Sequence, residues 1–158
     1  MLKVPAKIRA EEVKYSKKSK KWELFYLPFY CFSVTYSSRS KRRTLFFLVD
    51  ALKGKCVTCP EEVLNEAVEV KEEVKVDLSE EEALAVVEKE SLFPQGVFTL
   101  MRREKIERVG LTLYPFWVFY ISRAGRFSFK IADAVTGRKE NHFASEIIAE
   151  LLIKEGTF

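Results

Sequence analysis

The chain has 158 residues, the size of one domain or of two small subdomains that share a core. With 47% apolar and 13% aromatic residues, global disorder is excluded. The net charge of +4 points to no particular partner, but its layout is uneven. Residues 1–60 hold 14 Lys/Arg against 4 Asp/Glu, residues 61–92 hold 3 against 12, and residues 93–158 hold 10 against 7. This segregation predicts a basic sheet region beside an acidic helical one.

In chain order, Met1–Pro5 contains no apolar signal core. The longest apolar stretches, Leu24–Val34 and Leu111–Ile121, are short and broken by Pro28 and Pro115. The expectation is a cytoplasmic protein without membrane insertion. One Gln, two Asn and 17 Lys with 20 Glu match the composition of hyperthermophile proteins.

Lys7–Lys14 reads as a strand, and Trp22–Tyr36 as a second. At roughly 3.3 Å per residue the second is too long for one straight strand in a small domain. Pro28 cannot donate to a ladder, so it predicts a bulge, bend or edge. Tyr30, Phe32 and Val34 share one face. Arg43–Asp50 is the next strand, with Phe46 and Leu48 inward and Leu45, Phe47 and Val49 outward. Asp50-Ala51-Leu52-Lys53-Gly54 is a turn, because Asp bonds its own backbone and Gly supplies a positive φ. A short strand follows from Lys55.

Pro60–Val70 reads as a helix with Pro at its first position and Glu61 and Glu62 in its first turn. Ser79-Glu80-Glu81-Glu82 is a capping box opening a helix to about Ser91, with Ala83, Leu84, Val86 and Val87 as its buried stripe. Strand signals then return. Trp117, Phe119 and Ile121 are the counterparts of Tyr30, Phe32 and Val34. Phe127–Asp133 puts Phe129 and Ile131 inward, and a short strand follows from Arg138. A last helix is expected over Phe143–Lys154, with Ile147, Ile148, Leu151 and Leu152 inward.

These elements repeat. Leu24–Phe32 resembles Leu111–Phe119 at an offset of 87, and Asp50–Gly54 matches Asp133–Gly137 at an offset of 83. The four-residue difference falls in the intervening turn, where Ser37–Arg43 is longer than Arg123–Arg126. The expected fold is α+β. It consists of two tandem antiparallel β-meander-plus-helix repeats with pseudo-twofold symmetry, packed as one compact unit. Repeat 1 covers residues 1–73, a linking segment and helix covers 74–92, and repeat 2 covers 93–158.

An aromatic strand, a strand ending in Asp-Ala-x-x-Gly and a short return strand together resemble the hairpin of PepSY-type domains. Ile131–Gly137 carries the resemblance best, and Phe47–Gly54 is the weaker copy. Domains of that type are usually secreted or membrane-attached and often regulatory or inhibitory. The resemblance therefore implies a regulatory or inhibitory role and brings no catalytic residues with it.

Catalytic motifs are sparse. His142 is the sole histidine, no nucleophile elbow accompanies it, and the six glycines are scattered singly. Asp50 and Asp133 are explained as turn residues before acid–base chemistry is invoked. Cys56-Val57-Thr58-Cys59 stands before the helix expected at Pro60, where a thiolate would be activated. The spacing also suits half of a zinc site, with Cys59 aligned to His142 across the repeat and Cys31 as a further ligand. Inert packing is the preferred reading of these thiols. A disulfide, zinc and redox chemistry remain open alternatives, and no cofactor is expected.

Two functional surfaces remain. The outward residues Leu45, Phe47 and Val49 are apolar, whereas their counterparts are Ser128, Lys130 and Ala132. Either the linking helices or another chain must cover them. The first expectation is a non-enzymatic protein that self-associates or binds a protein partner through this face. The alternative is nucleic-acid binding through basic turns. Its residues are Lys17, Lys18, Lys20 and Lys21 in the first turn, then Arg39, Lys41, Arg42 and Arg43. Arg102, Arg103, Arg123 and Arg126 occupy equivalent places in the second copy. Tyr15, Trp22 and Tyr36 would stack on unpaired bases.

Overall fold

The computed structural model describes residues 1–94, 96–140 and 148–149. The fold is α+β, dominated by a multi-strand sheet. Among the described residues it has eight strands and one α-helix. The strands are β1 (Leu2–Lys3), β2 (Lys21–Ser37), β3 (Arg42–Asp50), β4 (Cys56–Cys59), β5 (Val68–Glu69), β6 (Arg102–Arg123), β7 (Arg126–Asp133) and β8 (Lys139–Glu140). The helix, α1, is Glu80–Glu90.

The chain divides into two compact units. Unit 1 comprises Met1–Val4 and Pro28–Leu113, and unit 2 comprises Pro5–Leu27 and Tyr114–Phe158. These are not the successive stretches 1–73 and 93–158 expected from the repeat. The reason is that the two long strands change unit at their prolines. Pro28 is the first residue of the β2 portion in unit 1, and Pro115 lies at the start of the β6 portion in unit 2. The ladder of β2 with β3 begins at Phe29↔Asp50, and that of β6 with β7 begins at Phe116↔Asp133. Each proline thus sits just outside a ladder it has no N–H to join.

In unit 1, β3 pairs antiparallel with β2 on one side and with β4 on the other. The register Tyr30↔Val49, Phe32↔Phe47 and Val34↔Leu45 sets those six side chains on one face. Helix α1 covers that face through Ala83 and Val87, both fully buried. The capping box forms as expected: the Glu82 N–H donates to Ser79 Oγ and the Ser79 N–H to Glu82 Oε1, each at 3.2 Å.

Two tyrosines of β2 set the position of α1. Tyr30 Oη donates to the Leu78 carbonyl at 2.6 Å, and Tyr36 Oη to the Ser91 carbonyl at 2.8 Å. Tyr30 and Tyr36 are six residues apart on β2, about 20 Å, close to the length of the 11-residue α1 with its flanking residues, so one tyrosine reaches each end. Burial pushes both phenols above their ordinary value, which keeps them protonated donors. Arg103 of β6 donates to the Glu88 carbonyl at 2.7 Å and to Ser91 Oγ at 2.9 Å, placing a cation at the negative end of the helix dipole.

Two expected elements differ. Residues Pro60–Val70 do not form an α-helix: Glu61–Leu64 is a 3-10 turn, and Val68–Glu69 is β5. Here Leu2↔Glu69 and Lys3↔Val68 pair antiparallel, and the Val70 N–H donates to the Met1 carbonyl at 2.8 Å. Strand pairing with the chain start overrides a weak helical stripe. Residues 102–113, read as a basic turn followed by the start of a strand, are the first half of β6. Charged side chains dominate this stretch and mask its strand pattern, while Ile106 and Leu111 pack against the core cluster.

In unit 2, β7 pairs antiparallel with β6 and β8. A two-residue turn joins β6 to β7, with Ala124 at φ 50° and Gly125 at φ 76°, the left-handed pair that a tight hairpin requires. Lys7–Lys14 is not a strand. It contains the 3-10 turn Ala10–Glu12 and leads into a second at Lys14–Lys18. The Lys7 and Ile8 N–H groups both donate to the Ala134 carbonyl at 2.9 Å, and Trp117 Nε1 donates to the Ile8 carbonyl at 2.7 Å. Those bonds tie the segment down, so that Ala10 and Val13 pack on Phe119 and Ala132.

The two Asp-Ala-x-x-Gly turns share their bonding. Asp50 Oδ1 accepts from the Leu52 and Lys53 N–H groups at 2.9 and 2.6 Å, and Asp133 Oδ1 from those of Val135 and Thr136 at 2.7 and 3.0 Å. The Ala51 N–H donates to the Pro28 carbonyl at 2.9 Å, and the Ala134 N–H to the Pro115 carbonyl at 3.1 Å. Gly54 and Gly137 close the turns at φ 81° and 76°. A Cβ at Gly54 would also meet Leu78 Cδ2 at 2.8 Å. The helix expected over Phe143–Lys154 lies outside the described residues except Ile148–Ala149, which are helical.

Candidate functional site

The apolar face of β3 is not a free surface. Phe47 and Val49 are 3% and 0% exposed, and Leu45 packs at the margin of the same cluster beneath α1. The assignment of Phe46 and Leu48 as the inward pair, opposite Leu45, Phe47 and Val49, is corrected by the register: Leu45, Phe47 and Val49 are the residues that face Tyr30, Phe32 and Val34. Leu48 is buried on the other side as well, at 3% exposure. The interface expected at Leu45, Phe47 and Val49 is occupied by the chain's own helix.

The Cys-x-x-Cys pair is not a joint site. It forms β4, not a helix N-terminus. Residues three apart on a strand point to opposite faces, so Cys56 lies under α1 while Cys59 lies on the other face. Cys31 pairs with Leu48 and Cys59 with Phe46. Cys31 and Cys59 therefore flank β3 on strands about 10 Å apart, beyond disulfide reach. None of the three cysteines is in a disulfide. Among the described residues no three His, Cys, Asp or Glu side chains are grouped to hold a metal. His142 lies outside the described residues.

Burial, with Glu90 adding, pushes the Cys56 thiol up to about 12, and burial followed by Cys59 raises Cys31. At pH 9 the thiolate fraction of Cys56 is then about a thousandfold below one. Native protein treated with iodoacetamide at that pH is expected to be alkylated at Cys56 at least tenfold more slowly than urea-unfolded protein. Equal rates by peptide mass mapping would contradict the buried placement.

The twelve basic candidates separate into two groups. Three are engaged within the chain. Lys21 pairs with Glu23 at 2.8 Å and lies over the Tyr120 ring at 5.7 Å, Arg42 pairs with Glu104 at 2.7 Å, and Arg103 caps α1. The other nine are Lys17, Lys18, Lys20, Arg39, Lys41, Arg43, Arg102, Arg123 and Arg126. They are exposed and have no acidic partner among the described residues.

In unit 2 the Lys20 N–H donates to the Tyr120 carbonyl at 3.3 Å. This bond sets the chain after the Lys14–Lys18 turn beside β6, three residues before Arg123. Lys20 thus lies about 10 Å along β6 from Arg123, with Lys17 and Lys18 three and two residues before it. The described part of unit 2 holds twelve Lys/Arg against five Asp/Glu. In unit 1 the β2–β3 turn closes with the Ser38 N–H donating to the Lys41 carbonyl at 2.8 Å. That turn faces the start of β6 across a cleft of about 620 Å³.

The expected stacking aromatics are engaged elsewhere. Tyr36 is fully buried, while Tyr15 and Trp22 lean on Phe119 with ring centres 6.0 and 6.2 Å apart. Phe127, which the sequence reading missed, is 73% exposed beside Arg126. Its signal was present: the matching position in unit 1, Thr44, is polar. A second exposed apolar group, Leu92, Phe93 and Leu100 at 53, 85 and 94%, follows α1 in unit 1. No described helix is long and apolar enough to cross a membrane. Comparison with protein-family models, curated proteins and solved structures gave no match to this chain.

Proposed function

We propose that the protein is a non-enzymatic binder of single-stranded nucleic acid that uses the cationic end of unit 2. The single observation behind this reading is the set of exposed cations without acidic partners at that end: Lys17, Lys18, Lys20, Arg123 and Arg126. Some basic side chains elsewhere are matched by carboxylates, as Arg108 is by Glu80, 2.9 Å away, and Arg42 by Glu104, 2.7 Å away. Five unmatched cations attract a phosphate backbone through counterion release. Phe127 beside them offers a ring on which an unpaired base stacks. We also propose that the two hairpins descend from one duplicated unit. The matched offsets and the shared bonding of Asp50 and Asp133 support this.

If these five cations contact five phosphates, a fourfold rise in salt weakens binding of a single strand by about 100-fold. Fluorescence anisotropy with a labelled oligonucleotide reads this directly. Lys17, Lys18 and Lys20 changed together to Gln are expected to flatten the salt dependence, and Phe127→Ala to weaken binding without flattening it. Absence of binding at low salt would reject the reading. A protein partner seated on Leu92, Phe93 and Leu100 would then be the better one.

A further inference from the structure

We propose that the cleft at the β2–β3 turn of unit 1 binds a terminal phosphate monoester attached to a planar, partly apolar body, the chemistry of a nucleotide. The inference stands apart from the reading of unit 2, because it uses neither its residues nor its charge.

Ser37, Ser38, Arg39 and Ser40 line one wall of the cleft, and Leu100, Met101 and Arg102 the other. Its volume, about 620 Å³, falls within the range of small-molecule sites. It carries two guanidinium groups and no carboxylate. Glu104, two residues after Arg102, is already held: Ser37 donates to it and Arg42 Nη2 lies 2.7 Å away, and both lower its pKa. Arg39 and Arg102 therefore face the cleft side of the turn without an acidic partner among the described residues.

The donors suit a phosphate. A guanidinium offers a planar fork of N–H groups that engages two phosphate oxygens at once. The Ser38 and Ser40 hydroxyls add two neutral donors. The opposite requirement, a surface for the rest of the ligand, is met by Leu100, 94% exposed, and the partly buried Met101. A thioether and an isobutyl group give a flat heterocycle apolar contact. An internal phosphodiester has one negative charge and no free end, whereas a terminal monoester carries about two near pH 7.

Such a group comes from two sources, a free mononucleotide or the phosphorylated end of a strand. Isothermal titration with inorganic phosphate, with adenosine 5′-monophosphate and with one short oligonucleotide bearing either a 5′-phosphate or a 5′-hydroxyl separates them. Tighter binding of the mononucleotide than of inorganic phosphate is expected. Affinity should rise between pH 5 and pH 7.5, as the monoester takes up its second charge with a pKa of about 6. Arg39→Gln with Arg102→Gln should lower affinity at least tenfold at an unchanged thermal midpoint, since both side chains are exposed. If the strand end is the source, the 5′-phosphate oligonucleotide binds at least tenfold more tightly than its 5′-hydroxyl form, and the arginine pair removes that difference. The triple Gln variant of Lys17, Lys18 and Lys20 should leave mononucleotide binding intact. The inference is overturned if neither the mononucleotide nor the 5′-phosphate end is preferred, or if the arginine pair changes nothing.

Discussion

Phe47→Lys is expected to unfold unit 1, not to improve solubility. The Phe47 ring is 3% exposed between Phe32 on β2 and the buried stripe of α1. A lysine there loses the ring's packing and places an ammonium in an apolar layer. The two effects together cost about 3–5 kcal/mol, a large share of the 5–15 kcal/mol typical of a folded domain. In a chain of this size each kcal/mol lowers the melting temperature by roughly 2–4 °C. Circular dichroism should therefore show a midpoint at least 6 °C lower, or no cooperative transition. Lys130→Ala is the control. Lys130 occupies the matching position opposite Phe119 on β7 and is exposed, so its loss should change stability by no more than about 0.5 kcal/mol. A Phe47→Lys protein that melts like the parent would mean that α1 does not cover this face.

Asp50→Ala is expected to cost about 3 kcal/mol. The carboxylate is 1% exposed and accepts three backbone N–H groups: those of Leu52 and Lys53 on Oδ1, and that of Lys55 on Oδ2 at 2.9 Å. Alanine leaves those partly buried donors without their acceptor, at about 1 kcal/mol each. Asp50→Asn retains one acceptor oxygen and should lose about half as much. Asp133→Ala should cost less than Asp50→Ala. Asp133 is only partly buried, and part of its bonding is to the Tyr114 hydroxyl, at 2.8 and 2.9 Å, which water can replace. Urea unfolding measures the three energies. Faster hydrogen exchange at the Leu52 and Lys53 amides in Asp50→Ala would locate the damage. Equal costs at Asp50 and Asp133 would contradict the difference in burial.

Features whose physics lies within a few residues of chain were legible. The capping box at Ser79, the Asp50 and Asp133 turns, the two-residue hairpin before Arg126 and the ladder limit at Pro28 all follow from local donors, acceptors and allowed φ. Features set by a distant partner were not. Lys7–Lys14 alternates like a strand, yet its amides bond the Ala134 carbonyl. Val68 and Glu69 carry a helical pattern, yet pair with Leu2 and Lys3. The charged half of β6 shows little apolar alternation, because several of its side chains meet carboxylates or the end of α1, as Arg108 and Arg103 do.

The candidate sites divide along the same line. Residue type alone points to twelve basic side chains, but the fold commits Lys21, Arg42 and Arg103 to Glu23, Glu104 and the end of α1. The Cys56–Cys59 spacing suggested a joint site, and the strand that carries it turns the two sulfurs to opposite faces. By itself, then, the amino-acid order determined the turns, the helix cap and the surplus of cations, because each depends on near neighbours. Tertiary structure decided which apolar face α1 covers and which charges stay unmatched, because both depend largely on groups brought together from distant parts of the chain, as Arg42 and Glu104 are from 62 residues apart.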